Sequence, residues 1–296
     1  MKPLARGLWG VLATPFAAPD LRVDEESLRR QVRMFAGVPA TGLVALGVFG
    51  EGAALNSAEQ ALVVRTVAAE APDLPIVVGL SARTTAVAVE QAGTAVSAAA
   101  PAALMVQVNS PDPDVLAAHL TAVQDATGTG IVLQDYPVAS GVRISPAQVL
   151  ATLERCPFVV AVKSEAPPTA AAIAALTAGT QVPVFGGLGG VGLLDELAAG
   201  AAGAMTGFSH PEALLAALRA WDGGGYRTAR DVFAPWLPLV NFEAQPGIGL
   251  ALRKEILRRR GVLADAAVRP PAPAVPTPLL PLVDAHLAAV PTEVNA

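Results

Sequence analysis

Short apolar runs, each followed by a longer segment with helical periodicity, recur eight times in the first 222 residues. The runs are Trp9–Ala13, Leu43–Leu46, Ile76–Leu80, Ala103–Val106, Ile131–Leu133, Val159–Val162, Val182–Phe185 and Ala202–Thr206. Helices are expected over Asp24–Phe35, with Asp24 as N-cap, over Ser57–Glu70 and Thr84–Ala99, and after Asp112, Ser145, Thr169, Gly190 and Pro211. Continuous Val, Ile, Leu and Ala runs suit strands buried on both faces, hence a parallel sheet. Eight such units closing on themselves predict an α/β fold, the (β/α)8 TIM barrel; a doubly wound open sheet is the competing arrangement. From Tyr226 onward the pattern turns helical, over 226–242, 248–260 and 279–287, with a proline-rich joint at Arg269–Pro273. Residues 1–225 are thus expected to form the barrel. Residues 226–296 are expected to form a C-terminal helical extension packed on it, being too short to hold a core of their own.

Composition narrows the function classes. A net charge of −5 gives no pull towards nucleic acid or anionic lipid. No uninterrupted apolar stretch of about 18 residues offers a membrane span, and the N-terminal residues lack the apolar core of a signal peptide. A cytoplasmic protein with neither nucleic acid nor membrane as partner is expected. The single cysteine, Cys156, excludes an internal disulfide. His119, His210 and His286 lie far apart with no metal-ligand spacing, so neither a metal nor a cofactor is expected.

In such a barrel the active site lies at the C-terminal ends of the strands. Lysine usage singles out one position there. The chain has 20 Lys and Arg residues, and only Lys2, Lys163 and Lys254 are lysines. Lys2 and Lys254 fall at a terminus and a basic helix end, both read as solvated. Lys163 instead closes the run Phe158–Val162, inside a strand that should be buried. Burial disfavours the ammonium and releases neutral amine, which condenses with a carbonyl to a Schiff base. The alternative is a structural lysine paired with Glu165, two residues on and on the same strand face. After the fifth run, Gln134 and Tyr136 share a face, placing an amide and a phenol towards the mouth, the phenol as a proton relay or simply as a hydrogen-bonded tyrosine. Gly47–Gly52 follows the second run and Gly186–Gly190 the seventh. The first is either a tight turn or a place where backbone N–H groups meet an anion; the second either makes room for a ligand's carboxylate, hydroxyl or phosphate or is a flexible loop.

The order of these pieces resembles the dihydrodipicolinate synthase / N-acetylneuraminate lyase family almost from end to end. The resemblance is carried by Gly10–Phe16, the loop Gly47–Glu51, Tyr136–Gly141 and Val160–Lys163. It implies a barrel with a helical extension, a homo-oligomer (tetramer or dimer), and a metal-independent class I aldolase type of chemistry on pyruvate or another 2-oxo acid, with Lys163 as the Schiff-base residue. Two departures stand out. Val48 and Phe49 replace the two adjacent hydroxyl residues that help hold the substrate carboxylate in the family. Gln134 falls where the family has its proton-shuttling tyrosine.

The expected activity is therefore a Schiff-base-forming lyase, either aldolase or hydro-lyase, acting on a 2-oxo acid or related carbonyl compound, and not dihydrodipicolinate synthase itself. The expected catalytic set is Lys163, Tyr136, Gln134 and Glu165, with Gly47, Val48, Phe49, Gly186 and Gly187 lining the substrate site. A catalytically degenerate member serving as a small-molecule binding or regulatory protein is the alternative.

Overall fold

The structure, a computed structural model, describes residues 1–291. Eight parallel strands, β1 (Gly7–Val11), β2 (Gly42–Ala45), β3 (Ile76–Leu80), β4 (Ala103–Gln107), β5 (Ile131–Asp135), β6 (Val159–Ser164), β7 (Val184–Phe185) and β8 (Gly203–Thr206), follow one another round a ring. β1 pairs with β8. Between β7 and β8 the ring closes through a bridge from Gly186 to Ala204, with Met205 N donating to Gly186 O at 2.9 Å. This is the (β/α)8 barrel, with a helical extension at its C-terminus.

The strands are apolar on both sides because both sides are covered. Trp9, Val44, Val77, Met105, Val132, Ala161, Phe185 and Met205 fill the lumen, and Leu4 plugs its lower end. The alternate residues, among them Leu8, Leu43, Val78, Leu104, Leu133 and Val162, pack against the surrounding helices. Those helices are α1 (Glu25–Gly37), α2 (Ser57–Glu70), α3 (Thr85–Ala98), α4 (Pro113–Thr127), α5 (Pro146–Arg155), α6 (Thr169–Gly179), α7 (Leu193–Ala198) and α8 (Pro211–Phe233). Side chains stop them where the sequence places caps. Asp24 and Asp112 accept backbone N–H groups at the starts of α1 and α4, and Asn56–Glu59 and Ser145–Gln148 form capping boxes on α2 and α5.

Strand limits differ from the apolar runs in an instructive way. β1 ends at Val11 rather than Ala13, because the Gln31 side chain takes over both backbone groups of Ala13, at 2.7 and 3.1 Å. β7 begins only at Val184, after Pro183, which has no N–H for the ladder. β5 and β6 run on past their apolar residues to Asp135 and Ser164, so Gln134 and Lys163 are themselves strand residues. A two-stranded antiparallel ladder, Phe16–Ala17 with Arg22–Val23, follows β1 and has no counterpart among the apolar runs.

In the tail, α8 continues to Phe233 with a break at Gly225 (φ +68°). The helix expected over 226–242 is thus divided between the end of α8, a 3-10 turn at Ala234–Trp236 and α9 (Leu237–Glu243). α10 (Gly249–Arg259) and α11 (Leu280–Ala289) complete it, His286 of α11 stacking on Phe242 at 4.4 Å. Among the described residues no helix is long and apolar enough to cross a membrane.

Candidate active site

Gln107, Gln134 and Lys163 sit at matching register on β4, β5 and β6, so three polar side chains stand side by side at the upper rim of the barrel. Lys163 is only 5% exposed. Its Nζ lies 3.3 Å from Oε2 of the equally buried Glu165. The same oxygen accepts Gln134 Nε2 at 2.7 Å, while Oε1 accepts the Leu188 backbone N–H at 3.2 Å. Glu165 is therefore held on three sides, by a cation, an amide and a peptide group. Beside this arrangement opens a cavity of about 300 Å3, bounded by Gly47, Val48, Met105, Gln107, Gln134 and Arg83 among others. Gln134 belongs to both the carboxylate clamp and the cavity wall, and so links the Lys163–Glu165 pair, which is not itself part of that wall, to the cavity.

The negative charge of Glu165 is felt by its neighbours. Burial, and then Glu165, push Asp135 up to about 6. Burial also pushes Glu196 of α7 up to about 7, with Glu165 adding to the rise and Thr169 opposing it. Glu196 is therefore partly protonated at neutral pH. Tyr136 is raised as well, by burial first and then by Glu165, against an opposing pull from Arg253.

The expected site residues fare differently. Gln134, Lys163 and Glu165 converge, and the ion pair and the strand-end cavity coexist. Tyr136 lies one residue beyond β5, where the chain turns into the short helix Pro137–Ser140, so strand alternation no longer aims its ring alongside Gln134. It stays within electrostatic range of Glu165 but outside the cavity wall. Gly47 and Val48 border the cavity. Phe49 instead packs its ring against Gly207. Gly186 and Gly187 leave room for the chain's own carboxylates: a Cβ at Gly186 would collide with Glu196, and one at Gly187 with Glu165.

Lys254 departs from its expected solvated place. It is fully buried, its ammonium bound to Glu51 and to Ala267 O (2.9 Å) and set over the Phe16 ring at 4.4 Å. A basic helix end reads as exposed when the segment packed over it is far away in sequence. Asp135, Glu196, Arg253 and Arg83 were not legible as site residues. Asp135 follows Gln134 and Glu196 follows Asp195, so neither carries a local apolar signal of burial. His210 caps α8, buried, with Nδ1 2.8 Å from Ser209 Oγ; His119 lies in α4 with Nδ1 3.0 Å from Thr85 Oγ1.

Glu196 has a measurable consequence. Its carboxyl titrates near 4.5 when unfolded and near 7 when folded, so the native state keeps a proton that the unfolded chain loses in between. Stability is then fully present below the unfolded value and falls as pH rises towards 7, by about 3 kcal/mol for this group. Glu196→Gln is expected to match the parent protein near pH 4 and to be more stable than it by about 1–3 kcal/mol at pH 8. Urea unfolding at the two pH values checks this; a substitution equally costly at both refutes it.

The model of the dihydrodipicolinate synthetase family matches residues 4–289. The chain belongs to this family. It is 30% identical over 281 residues to the L-2-keto-3-deoxyarabonate dehydratase of Azospirillum brasilense, covering 92% of this chain and 90% of that protein. To the 4-hydroxy-tetrahydrodipicolinate synthase of Methanothrix thermoacetophila it is 31% identical, covering 79% and 80%. The dihydrodipicolinate synthase structure from Rhodopseudomonas palustris superposes with a TM-score of 0.89 at 28% identity, over 98% of this chain and 99% of that one. Dihydrodipicolinate synthetase family members are Schiff-base lyases of the class I aldolase type, and the chain is a lyase of this family acting on a 2-oxo acid or related carbonyl compound.

Proposed function

We propose that Lys163 is the Schiff-base residue, that Glu165 is its proton partner, and that the reaction is the elimination of water from a hydroxylated 2-oxo acid. The observation that carries this is the Lys163–Glu165 pair, 3.3 Å apart, buried and bonded through Glu165 to Gln134, which borders the cavity. Glu165 takes a proton from the ammonium, freeing the amine to add to the C2 carbonyl. Glu165 returns that proton to the hydroxyl of the adduct, which departs as water and leaves an iminium, and the iminium draws electrons from the neighbouring C3–H bond. Glu165 removes that proton, and the resulting enamine expels a C4 hydroxyl, which leaves as water once protonated. Hydrolysis of the imine returns the lysine. The iminium is the electron sink, so the steps proceed without a metal.

Gln134 cannot ionise, which makes it an unsuitable proton shuttle but a good positioning group for Glu165. That assigns to Glu165 the role a strand-five tyrosine would otherwise hold, with Tyr136 and Asp135 as the other ionisable groups at hand. The dehydratase relative, matched over most of both chains, favours elimination over condensation, and the substitution at Gln134 argues against dihydrodipicolinate synthase activity. The same reading takes residues 1–225 as the catalytic barrel and 226–296 as its extension, in a cytoplasmic dimer or tetramer.

Borohydride treatment in the presence of pyruvate and of 3-deoxy-2-oxo sugar acids tests it. The expected result is a covalent mass increase that maps to Lys163, with Glu165→Gln lowering turnover by about 10²–10⁴-fold. Reversible binding with no trapped adduct from any 2-oxo acid would overturn the mechanism and leave the degenerate binding protein as the better reading.

A further inference from the structure

Arg253 is a nearly buried cation at the barrel mouth that the mechanism above leaves unused. It comes from α10 in the extension, and its side chain is 13% exposed. The guanidinium lies against Gly189, whose φ of +72° and missing side chain make room for it; a Cβ there would strike Nη2. On its other side it covers the Phe49 ring, with Cζ 5.4 Å from the centroid. Both platforms hold the plane of the group and leave its edge donors free.

Those donors lack acceptors. Nε lies 3.3 Å from Glu243 Oε2, yet it is buried and makes no aligned hydrogen bond. Glu243 is already engaged by the Ser209 hydroxyl and by Ser209 N (3.3 Å). Among the described residues neither Nη nitrogen donates to a protein acceptor. A guanidinium carries five N–H groups suited to a planar carboxylate; here Nε is buried without an aligned partner, which is costly, while the two Nη nitrogens stay accessible. A ligand that brings the missing oxygens resolves that cost.

The place is right for the substrate to be that ligand. Gly189 adjoins Leu188, whose N–H holds Glu165 beside the Lys163 amine. Tyr136 lies within the electrostatic reach of both Glu165 and Arg253. Every 2-oxo acid carries a carboxylate next to the carbonyl that condenses with lysine, and the Gly47–Glu51 loop offers it no side-chain hydroxyl, having Val48 and Phe49 in its middle. The other cation there, Arg83, is exposed and already donates to Ser140 O. We infer that Arg253, stacked on Phe49 and seated on Gly189, binds the carboxylate of the 2-oxo acid and so sets the site's preference for acids over neutral ketones. This rests on the Schiff-base reading of Lys163.

Borohydride trapping with pyruvate and with hydroxyacetone, a ketone of similar size without a carboxylate, separates the two ideas. Arg253→Gln is expected to lower the trapping efficiency of pyruvate by roughly 10- to 100-fold and to leave that of hydroxyacetone unchanged. Arg253→Lys restores part of the difference, and Phe49→Leu lowers the pyruvate-to-hydroxyacetone ratio to a smaller degree. If both ketones lose trapping equally in Arg253→Gln, the residue is structural and the inference fails; if neither changes, it fails as well. If the parent protein traps neither compound, it is the Schiff-base mechanism that falls.

Discussion

Lys163→Ala is expected to lose at least about 10⁴-fold in turnover and to form no borohydride-stable adduct, because the chain's other two lysines are Lys2, near the N-terminus, and Lys254, whose ammonium is held in the ion pair with Glu51. The size follows from the role. Without the iminium, nothing in the site withdraws electrons from C3, and a residual rate reflects binding and general base catalysis by Glu165 alone. The substitution also leaves Glu165 without its cation, although Gln134 and the Leu188 N–H continue to hold it. A stability loss of up to about 3 kcal/mol is expected alongside. Lys163→Arg tells the two effects apart. It keeps a positive charge opposite Glu165 but offers no nucleophile, since a guanidinium does not deprotonate in a protein. Steady-state kinetics with a 3-deoxy-2-oxo sugar acid, together with intact mass, provide the measurement. Substantial turnover in Lys163→Arg would refute covalent catalysis and reduce the ion pair to a structural one.

The second large effect lies at the other buried lysine. Lys254→Met is expected to destabilise the fold by about 3–5 kcal/mol, since it strips the cation from a buried carboxylate. Glu51 follows the Gly47 loop in a left-handed conformation (φ +52°) and lines the cavity; its second oxygen accepts Arg269 N at 2.9 Å. Lys254 also sits over Phe16, at 4.4 Å from the ring centroid. One side chain thus fastens the substrate loop, the ladder after β1 and the extension to one another. The double substitution Glu51→Gln with Lys254→Met is expected to recover much of the loss, because no charge then remains stranded. Chemical denaturation of the three variants checks this. A single Lys254→Met costing under about 1 kcal/mol would mean that the pair is solvated after all.

How much of this was legible depended on whether the information was local. The strand-helix alternation, the cap at Asp24, the helices after Asp112 and Ser145, and the placement of Lys163 at the end of β6 rest on neighbouring residues, and the fold agrees with them. Gln134 and Glu165 were also visible, because two-residue periodicity on adjacent strands puts them on the lysine's side. Tyr136 was harder. The same periodicity holds only while the strand lasts, and Pro137 opens a helical turn directly after it.

The glycines after β7 show the limit most clearly. In sequence, Gly186–Gly190 reads as space for a ligand or a loose turn. In three dimensions the missing side chains make room for Glu196, Glu165 and Arg253, from α7, the end of β6 and α10. Nothing near those glycines announces such partners.

A period of strand and helix specifies a parallel sheet covered on both faces and favours a closed barrel over an open one, since eight right-handed units can close without an edge. It also specifies a lysine at the rim, because strand register is a matter of counting. What the folded molecule alone decided is which charges share that rim. Lys254, buried against Glu51, and Arg253, poised over Phe49, arrive from more than 200 residues away. Coulombic and hydrogen-bonding forces act over a few ångströms of space, whatever the separation along the chain.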